Sequence, residues 1–156
     1  MHTTIYLELS YEFEVKAPAK EVFKVLSDVP TSASFYPGVD QLVDEGNAIY
    51  RWEMEPIGIS HIQLQTVYAS KYFSDPANLS VEWVPIKDEG NAQVAGSWSI
   101  TKNKKSTTVL LQVRCAVDVP LPALMKPVIE PLVEFEFEHM TEKYIHNLIE
   151  RFGGEV

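Results

Sequence analysis

The sequence predicts an α+β fold: a curved seven-stranded antiparallel sheet wraps one long C-terminal helix, with two short helices after the first strand. Three observations carry this. Seven segments alternate apolar and polar residues at period two, the signature of half-buried strands. Short polar turns join them, as in an antiparallel meander. Beyond residue 119 the period changes to that of a helix. A length of 156 residues suits one domain, taken as 1–156.

In the first segment Ile5, Leu7, Leu9, Tyr11, Phe13 and Val15 fall on one side. Tyr6, Glu8, Ser10, Glu12 and Glu14 fall on the other, so 5–15 is a strand. Ala17-Pro18 opens a short helix over 18–26, because proline's missing N–H is no loss in a first turn. Val22, Phe23 and Leu26 then recur at helical spacing. Pro30 and Pro37-Gly38 bracket a second helical turn and a loop. Strands follow at 41–45, 49–55, 60–74, 79–84, 92–102 and 106–117, punctuated by Gly46-Asn47, Pro56-Ile57-Gly58, Ser74-Asp75-Pro76, Asp88-Glu89-Gly90-Asn91 and Lys102-Asn103-Lys104-Lys105. Pro122, Pro127 and Pro131 interrupt the approach to the last element, so an unbroken helix is expected only over 131–152. Gly153-Gly154 is its stop. Phe137, Thr141, Tyr144, Ile145, Leu148 and Phe152 share its covered face, and His139, Lys143, His146 and Glu150 lie opposite.

Composition narrows the function. Apolar residues make up 46% of the chain and charged residues 22%, as in ordinary globular proteins, which excludes a disordered or low-complexity chain. Thirteen basic against 22 acidic residues leave a net charge of −9, opposite to what nucleic acid or an anionic membrane attracts. No apolar run approaches the roughly 18 residues of a membrane helix, so stable insertion is not expected. The N-terminal residues show neither a cationic leader nor an apolar block with a cleavage site, and the expected location is cytoplasmic. Cys115 is alone and forms no internal disulfide. Asn78-Leu79-Ser80 fits a glycosylation pattern that is uninformative without a secretory signal.

Carried through each strand, the alternation places Tyr50, Trp52, Met54, Ile62, Leu64, Thr66 and Tyr68 on one face. Leu79, Val81, Trp83, Val94, Gly96, Trp98 and Ile100 join them, with Val109, Leu111, Val113, Cys115 and Val117. No charged residue falls there. Arg51, Glu53, Glu55, His61, Gln63, Gln65, Glu82, Gln112 and Arg114 face the other way, and Arg51 and Glu53 enter only if the register slips by one. One helix about 10–12 Å wide cannot cover seven strands spanning roughly 30 Å unless the sheet curls around it. Such a sheet either fills its interior with side chains or leaves a cavity. The shortage of covering helices favours the cavity, and Trp52, Tyr68, Trp83 and Trp98 would line it with groups suited to an amphipathic ligand.

The strand–helix–helix–six strands–helix order resembles the START-like superfamily known as SRPBCC. Its polyketide cyclase/dehydrase-like members and lipid-transfer domains share a helix-grip fold around a hydrophobic pocket. The likeness rests on Ala17-Pro18 with Val22, Phe23 and Leu26, the Phe35-Tyr36-Pro37-Gly38-Val39 turn, Gly96-Ser97-Trp98, and Val119-Pro120 before the last helix. These motifs specify fold more than chemistry. The resemblance implies a hydrophobic small-molecule ligand such as a lipid, isoprenoid or aromatic metabolite. It leaves open a cyclase, aromatase or dehydrase, or a protein-interaction module with a filled core.

The expected ligand site lies between Trp52, Met54, Tyr68, Trp83, Trp98, Leu111 and Val113 and the helix at Val133, Glu134 and Phe137. The strands bring no carboxylate, histidine or cation inward, which favours binding over catalysis. Glu134 is the one weak catalytic candidate. It lies on the flank of the covered face, or else in a first helical turn where a carboxylate complements the dipole. His139, Glu142 and His146 invite a metal, but the histidines stand about 10.5 Å apart along the helix axis, so neither metal nor other cofactor is expected. Cys115 has no cationic neighbour to activate its thiol and reads as core. Val128, Leu132 and Phe135 fall on the solvent side of the helix. They could line the pocket mouth, pack under the 121–127 segment or form a dimer patch, and oligomeric state is not determined.

Overall fold

The computed structural model describes residues 2–59 and 61–156. Its first strand, β1 (Thr3–Val15), leads into α1 (Ala19–Ser27) and α2 (Val29–Ala33). Strands β2 (Val39–Gly46), β3 (Ile49–Met54), β4 (Ile57–Ile59), β5 (Ile62–Leu64), β6 (Val67–Asp75), β7 (Ser80–Pro85), β8 (Ala92–Lys102) and β9 (Thr107–Val119) follow. A 3₁₀ turn at Ala123–Met125 then runs into α3 (Lys126–Arg151). Seven strands form one antiparallel sheet in the order β1-β9-β8-β7-β6-β3-β2, which closes around α3 in the helix-grip arrangement. The seven-stranded antiparallel sheet, the two short helices after its first strand and the long C-terminal helix match the expectation.

The alternation predicts burial as well as strands. Ile5, Val15, Val109, Val117 and Val119 are fully buried, and Trp52, Val81, Trp83, Val94, Trp98 and Leu111 are each at most 7% exposed. Arg51 and Glu53 stay on the outer face, bonded to each other at 2.9 Å, and Arg51 also reaches Glu89 at 3.2 Å. The register of β3 has not slipped.

The expected strand over 60–74 is a correction. Position 60 lies outside the described residues; beyond it, 62–64 forms a separate hairpin with 57–59, and the sheet strand starts at Val67. Alternation cannot show the break, because Ile62, Leu64, Thr66 and Tyr68 keep one parity across it. Hydrogen bonding makes it. Asn91 accepts from Val67 N at 2.8 Å and donates to Gln65 O at 2.8 Å, so a side chain from another loop satisfies the backbone where pairing stops.

The last helix is the second correction. It begins at Lys126, five residues before the expected 131. Pro127 sits in the first turn, where no N–H is needed. Pro131 lies inside the helix and removes one backbone hydrogen bond. Both prolines are exposed, on a flank where water can serve the freed carbonyls. At the other end Gly153 (φ 86°) and Gly154 (φ 106°) stop the helix as expected. In the first helix Pro18 is the cap and not the first helical residue, one position from expectation.

Candidate functional site

The curved sheet and α3 leave a cavity of about 90 Å³. Trp52 and Met54 of β3, Tyr68 and Tyr72 of β6, Trp83 of β7, and Val94 and Trp98 of β8 form one wall. Leu9 of β1 and Leu111, Val113 and Cys115 of β9 continue it. Leu26, Val29, Ser32 and Tyr36 close one end, and Phe137, Thr141 and Tyr144 of α3 form the lid. The interior is thus neither filled nor wide: a cavity of roughly 150 Å³ is known to take a benzene ring.

Eight of the ten residues expected to line a ligand site meet here: Trp52, Met54, Tyr68, Trp83, Trp98, Leu111, Val113 and Phe137. Val133 and Glu134 do not. Val133 is fully buried but packs into the core outside the cavity, and Glu134 is exposed. Because α3 starts at Lys126, Glu134 belongs to neither the cavity flank nor the first turn. It lies four residues before Glu138, whose carboxyl is pushed up first by desolvation and then by Glu134 and Glu142. The catalytic candidacy of Glu134 therefore has no cavity geometry behind it. Val128 and Phe135 are 56% and 63% exposed and Leu132 is 42% exposed, so all three face outward and none reaches the cavity. Phe135 stacks on His139, and His146 approaches Glu150 at 3.2 Å.

Sequence reasoning missed Tyr36, Ser32, Tyr72, Thr141 and Tyr144 as lining groups. Tyr72 was findable, since it extends the parity of Tyr68 by two steps of two. Thr141 and Tyr144 were on the covered helix face but not assigned to the site. Ser32 and Tyr36 sit in a proline-rich connection with no periodicity to aim them.

The aromatics hold one another. Trp52 stacks on Tyr68 with ring centroids 5.8 Å apart and planes 12° apart. Tyr36 meets both Trp52 and Tyr144, and Trp98 packs edge-on against Tyr144 at 5.9 Å. Gly96 makes room for Trp83. A Cβ there would lie 2.5 Å from the indole Cζ2 and 2.6 Å from the Gln112 carbonyl oxygen.

Polar atoms in this apolar wall are mostly paired with each other. Trp52 Nε1 donates to the Tyr72 hydroxyl at 3.0 Å, and the hydroxyls of Ser32 and Tyr144 share a hydrogen bond. Among the described residues, none that lines the cavity is an acid, a histidine or a cation. Burial raises the phenols of Tyr68, Tyr72 and Tyr144 well above their ordinary value and pushes Tyr36 up to about 12, with Thr141 partly offsetting it. The Cys115 thiol is likewise pushed up to about 12 by burial. At neutral pH the cavity therefore carries no charge.

A second space of about 30 Å³ adjoins the first and shares Tyr36, Met54 and Phe137 with it. It opens beside Gly38, Met140, Glu55 and Glu136. Asn147 donates to Phe35 O at 2.9 Å and pins the 35–38 turn to α3 at this end. A larger groove of about 670 Å³ on the outer face is lined by Glu8, Glu82, Gln112 and Arg114 and is more polar than the inner cavity.

A sheet closed on a C-terminal helix, with an uncharged aromatic cavity between them, defines a helix-grip protein of the START-like class. The family described as polyketide cyclase/dehydrase and lipid transport matches residues 6–152, and the chain belongs to it. No curated protein matches the sequence. Among solved structures, a START superfamily protein from Mycobacterium smegmatis is similar at 18% identity and a TM-score of 0.65, over 92% of this chain and 97% of that one. The Zhui aromatase/cyclase from Streptomyces sp. R1128 is similar at 16% identity and a TM-score of 0.60, over 93% and 90%. Norcoclaurine synthase from Thalictrum flavum, in complex with dopamine and hydroxybenzaldehyde, is similar at 17% identity and a TM-score of 0.61, over 95% and 88%. At these identities the likeness speaks to the fold. No helix is long and apolar enough to cross a membrane among the described residues.

Proposed function

We propose that the protein, acting as one domain in the cytoplasm, is a carrier or sensor that binds a hydrophobic small molecule in the inner cavity. One observation carries this reading: an interior space whose lining, among the described residues, is uncharged and rich in tryptophan and tyrosine. Apolar burial drives such binding at about 25 cal/mol per Å², and the aromatic edges orient the ligand. The cavity's size favours a compact aromatic over a long acyl chain, unless Phe137 or Met54 turns aside and joins the two spaces.

A second reading, a cyclase, aromatase or dehydrase, is supported by Glu55 and Glu136. They line the smaller space, so a ligand spanning both would meet a carboxylate. The tyrosines cannot serve as bases at neutral pH, but as neutral acids they could polarise a carbonyl.

Native mass spectrometry of freshly purified protein tests the binding reading, with Cys115→Phe as a cavity-filling control. A co-purified molecule, or an apolar probe that raises the melting temperature, is expected for the natural chain and not for folded Cys115→Phe. If apolar probes and a lipid extract leave the melting temperature and tryptophan fluorescence unchanged, the cavity is only a packing defect.

A further inference from the structure

The N-terminal half of α3 carries an apolar seam on the side away from the sheet. Val128, Leu132 and Phe135 are all exposed, and Leu124, in the 3₁₀ turn just ahead, is 87% exposed. Their spacing is regular. Val128, Leu132, Phe135 and His139 follow one another by four, three and four residues, the alternation that paired helices use for a contact seam. At the helical turn angle these four lie within about 60° of one another and roughly opposite Phe137, which faces the cavity. The Phe135 ring is held outward, stacked on His139 with planes 4° apart. Contiguous exposed apolar residues of this kind mark an interaction surface.

The flanks of the seam select its partner. With the seam at the a and d positions of a heptad, Glu136 falls at e and Glu138 at g, one on each side of Phe135. From residue 127 to 142 the helix carries five glutamates and no lysine or arginine. These carboxylates crowd one another: desolvation, and then Glu134 and Glu142, push the Glu138 carboxyl up. A second copy of the chain would set glutamate against glutamate in either orientation, and an anionic lipid surface would meet the same repulsion. We propose that the seam docks a basic amphipathic helix of a protein partner, with aliphatic residues at its own a and d positions and lysine or arginine at e and g. From Val128 to His139 the seam runs about 16 Å, so about two heptads of the partner cover it. The apolar residues supply the affinity, and the glutamates set the sign of the partner's charge. Such a helix would sit outside the cavity, independent of any ligand within.

The test titrates the whole protein into labelled helical peptides of about three heptads, with leucine at a and d and either lysine or glutamate at e and g. By fluorescence anisotropy the lysine peptide is expected to bind at least about ten-fold tighter than the glutamate peptide, and to weaken as salt rises. Phe135→Ser should weaken the lysine peptide at least about ten-fold while the melting temperature stays nearly unchanged, because the ring is exposed. Val128→Ser, on the same seam, is the second variant. Glu136→Gln with Glu138→Gln should weaken binding about three- to ten-fold and flatten its salt dependence. Glu8→Gln with Glu12→Gln, exposed on the outer face of β1, should do neither. No binding of the lysine peptide, equal binding of both peptides, an equal loss in the Glu8 and Glu12 variant, or binding that survives both serine variants overturns the proposal. A dimer in sedimentation equilibrium that Phe135→Ser dissociates would assign the seam to a second copy instead. Binding to phosphatidylcholine–phosphatidylserine vesicles that Phe135→Ser abolishes would assign it to a membrane, and either result overturns the proposal as well.

Discussion

Gly96→Ala isolates how tightly the cavity wall is built. The added methyl would sit 2.5 Å from Trp83 Cζ2, 2.7 Å from its Cε2 and 2.6 Å from the backbone oxygen of Gln112. The indole could tilt, but it is buried and also packs against Tyr72 at 5.6 Å. The carbonyl belongs to β9, locked by its ladder with β8 on one side and β1 on the other. Overpacking of this kind costs about 1–3 kcal/mol. Alanine recovers part of that, about 0.5–1 kcal/mol, by reducing the freedom of the unfolded chain. A net loss of about 1 kcal/mol remains, or roughly 2–4 °C in melting temperature for a domain this size. Gly58→Ala is the control. It also lies in a strand, yet its nearest neighbour is the Gln63 side chain at 3.8 Å, so only the chain-entropy gain applies and stability should hold or rise. Thermal and urea unfolding of both variants decides the matter. A Gly96→Ala protein as stable as Gly58→Ala would refute the close-contact reasoning.

The cavity's chemistry makes further checks possible. Cys115, buried and with its thiol pushed up to about 12, should resist a water-soluble disulfide reagent at pH 8 in the native state and react fully once unfolded. Tyr36, raised from 10.0 to about 12, stabilises the fold fully below pH 10, and that share is lost as pH climbs from 10 through 12. About 2–3 kcal/mol is at stake for this group, so unfolding free energy should fall in that window as absorbance near 295 nm reports tyrosinate. Ser32→Ala and Tyr144→Phe should each cost about 1 kcal/mol, and the double variant less than their sum, because each hydroxyl is the other's partner. Strict additivity in that cycle would show that the two do not interact.

Period-two alternation was enough to read the strands because the sheet has one face on the interior beneath the helices and one toward water. The same parity that turns Glu53 to the outer face buries Trp52 and Met54. Seven of the ten expected lining residues followed from that logic alone, since inward parity on a curved sheet leads to one interior, and Phe137 followed from the helical period of α3. Logic of this kind stops where an element is buried on more than one side or bonded by something distant. The break before Val67 depends on Asn91, 24 residues away in sequence. The early start of α3 depends on Pro127 and Pro131 both facing water, which no local pattern around them states.

The amino-acid order by itself determined the fold class, the neutral interior and the acidic exterior, because burial at fixed periodicity is a local property of the chain. Tertiary structure alone decided which polar atoms pair inside. Ser32 and Tyr144 lie 112 residues apart and meet through the packing of α2 on α3, and Trp52 finds Tyr72 across two paired strands. The pairing of these hydroxyls and the size of the remaining space are differences between many close contacts. A sequence pattern ranks residues by face, but only the assembled chain sets the distances at which hydrogen bonds form and voids close.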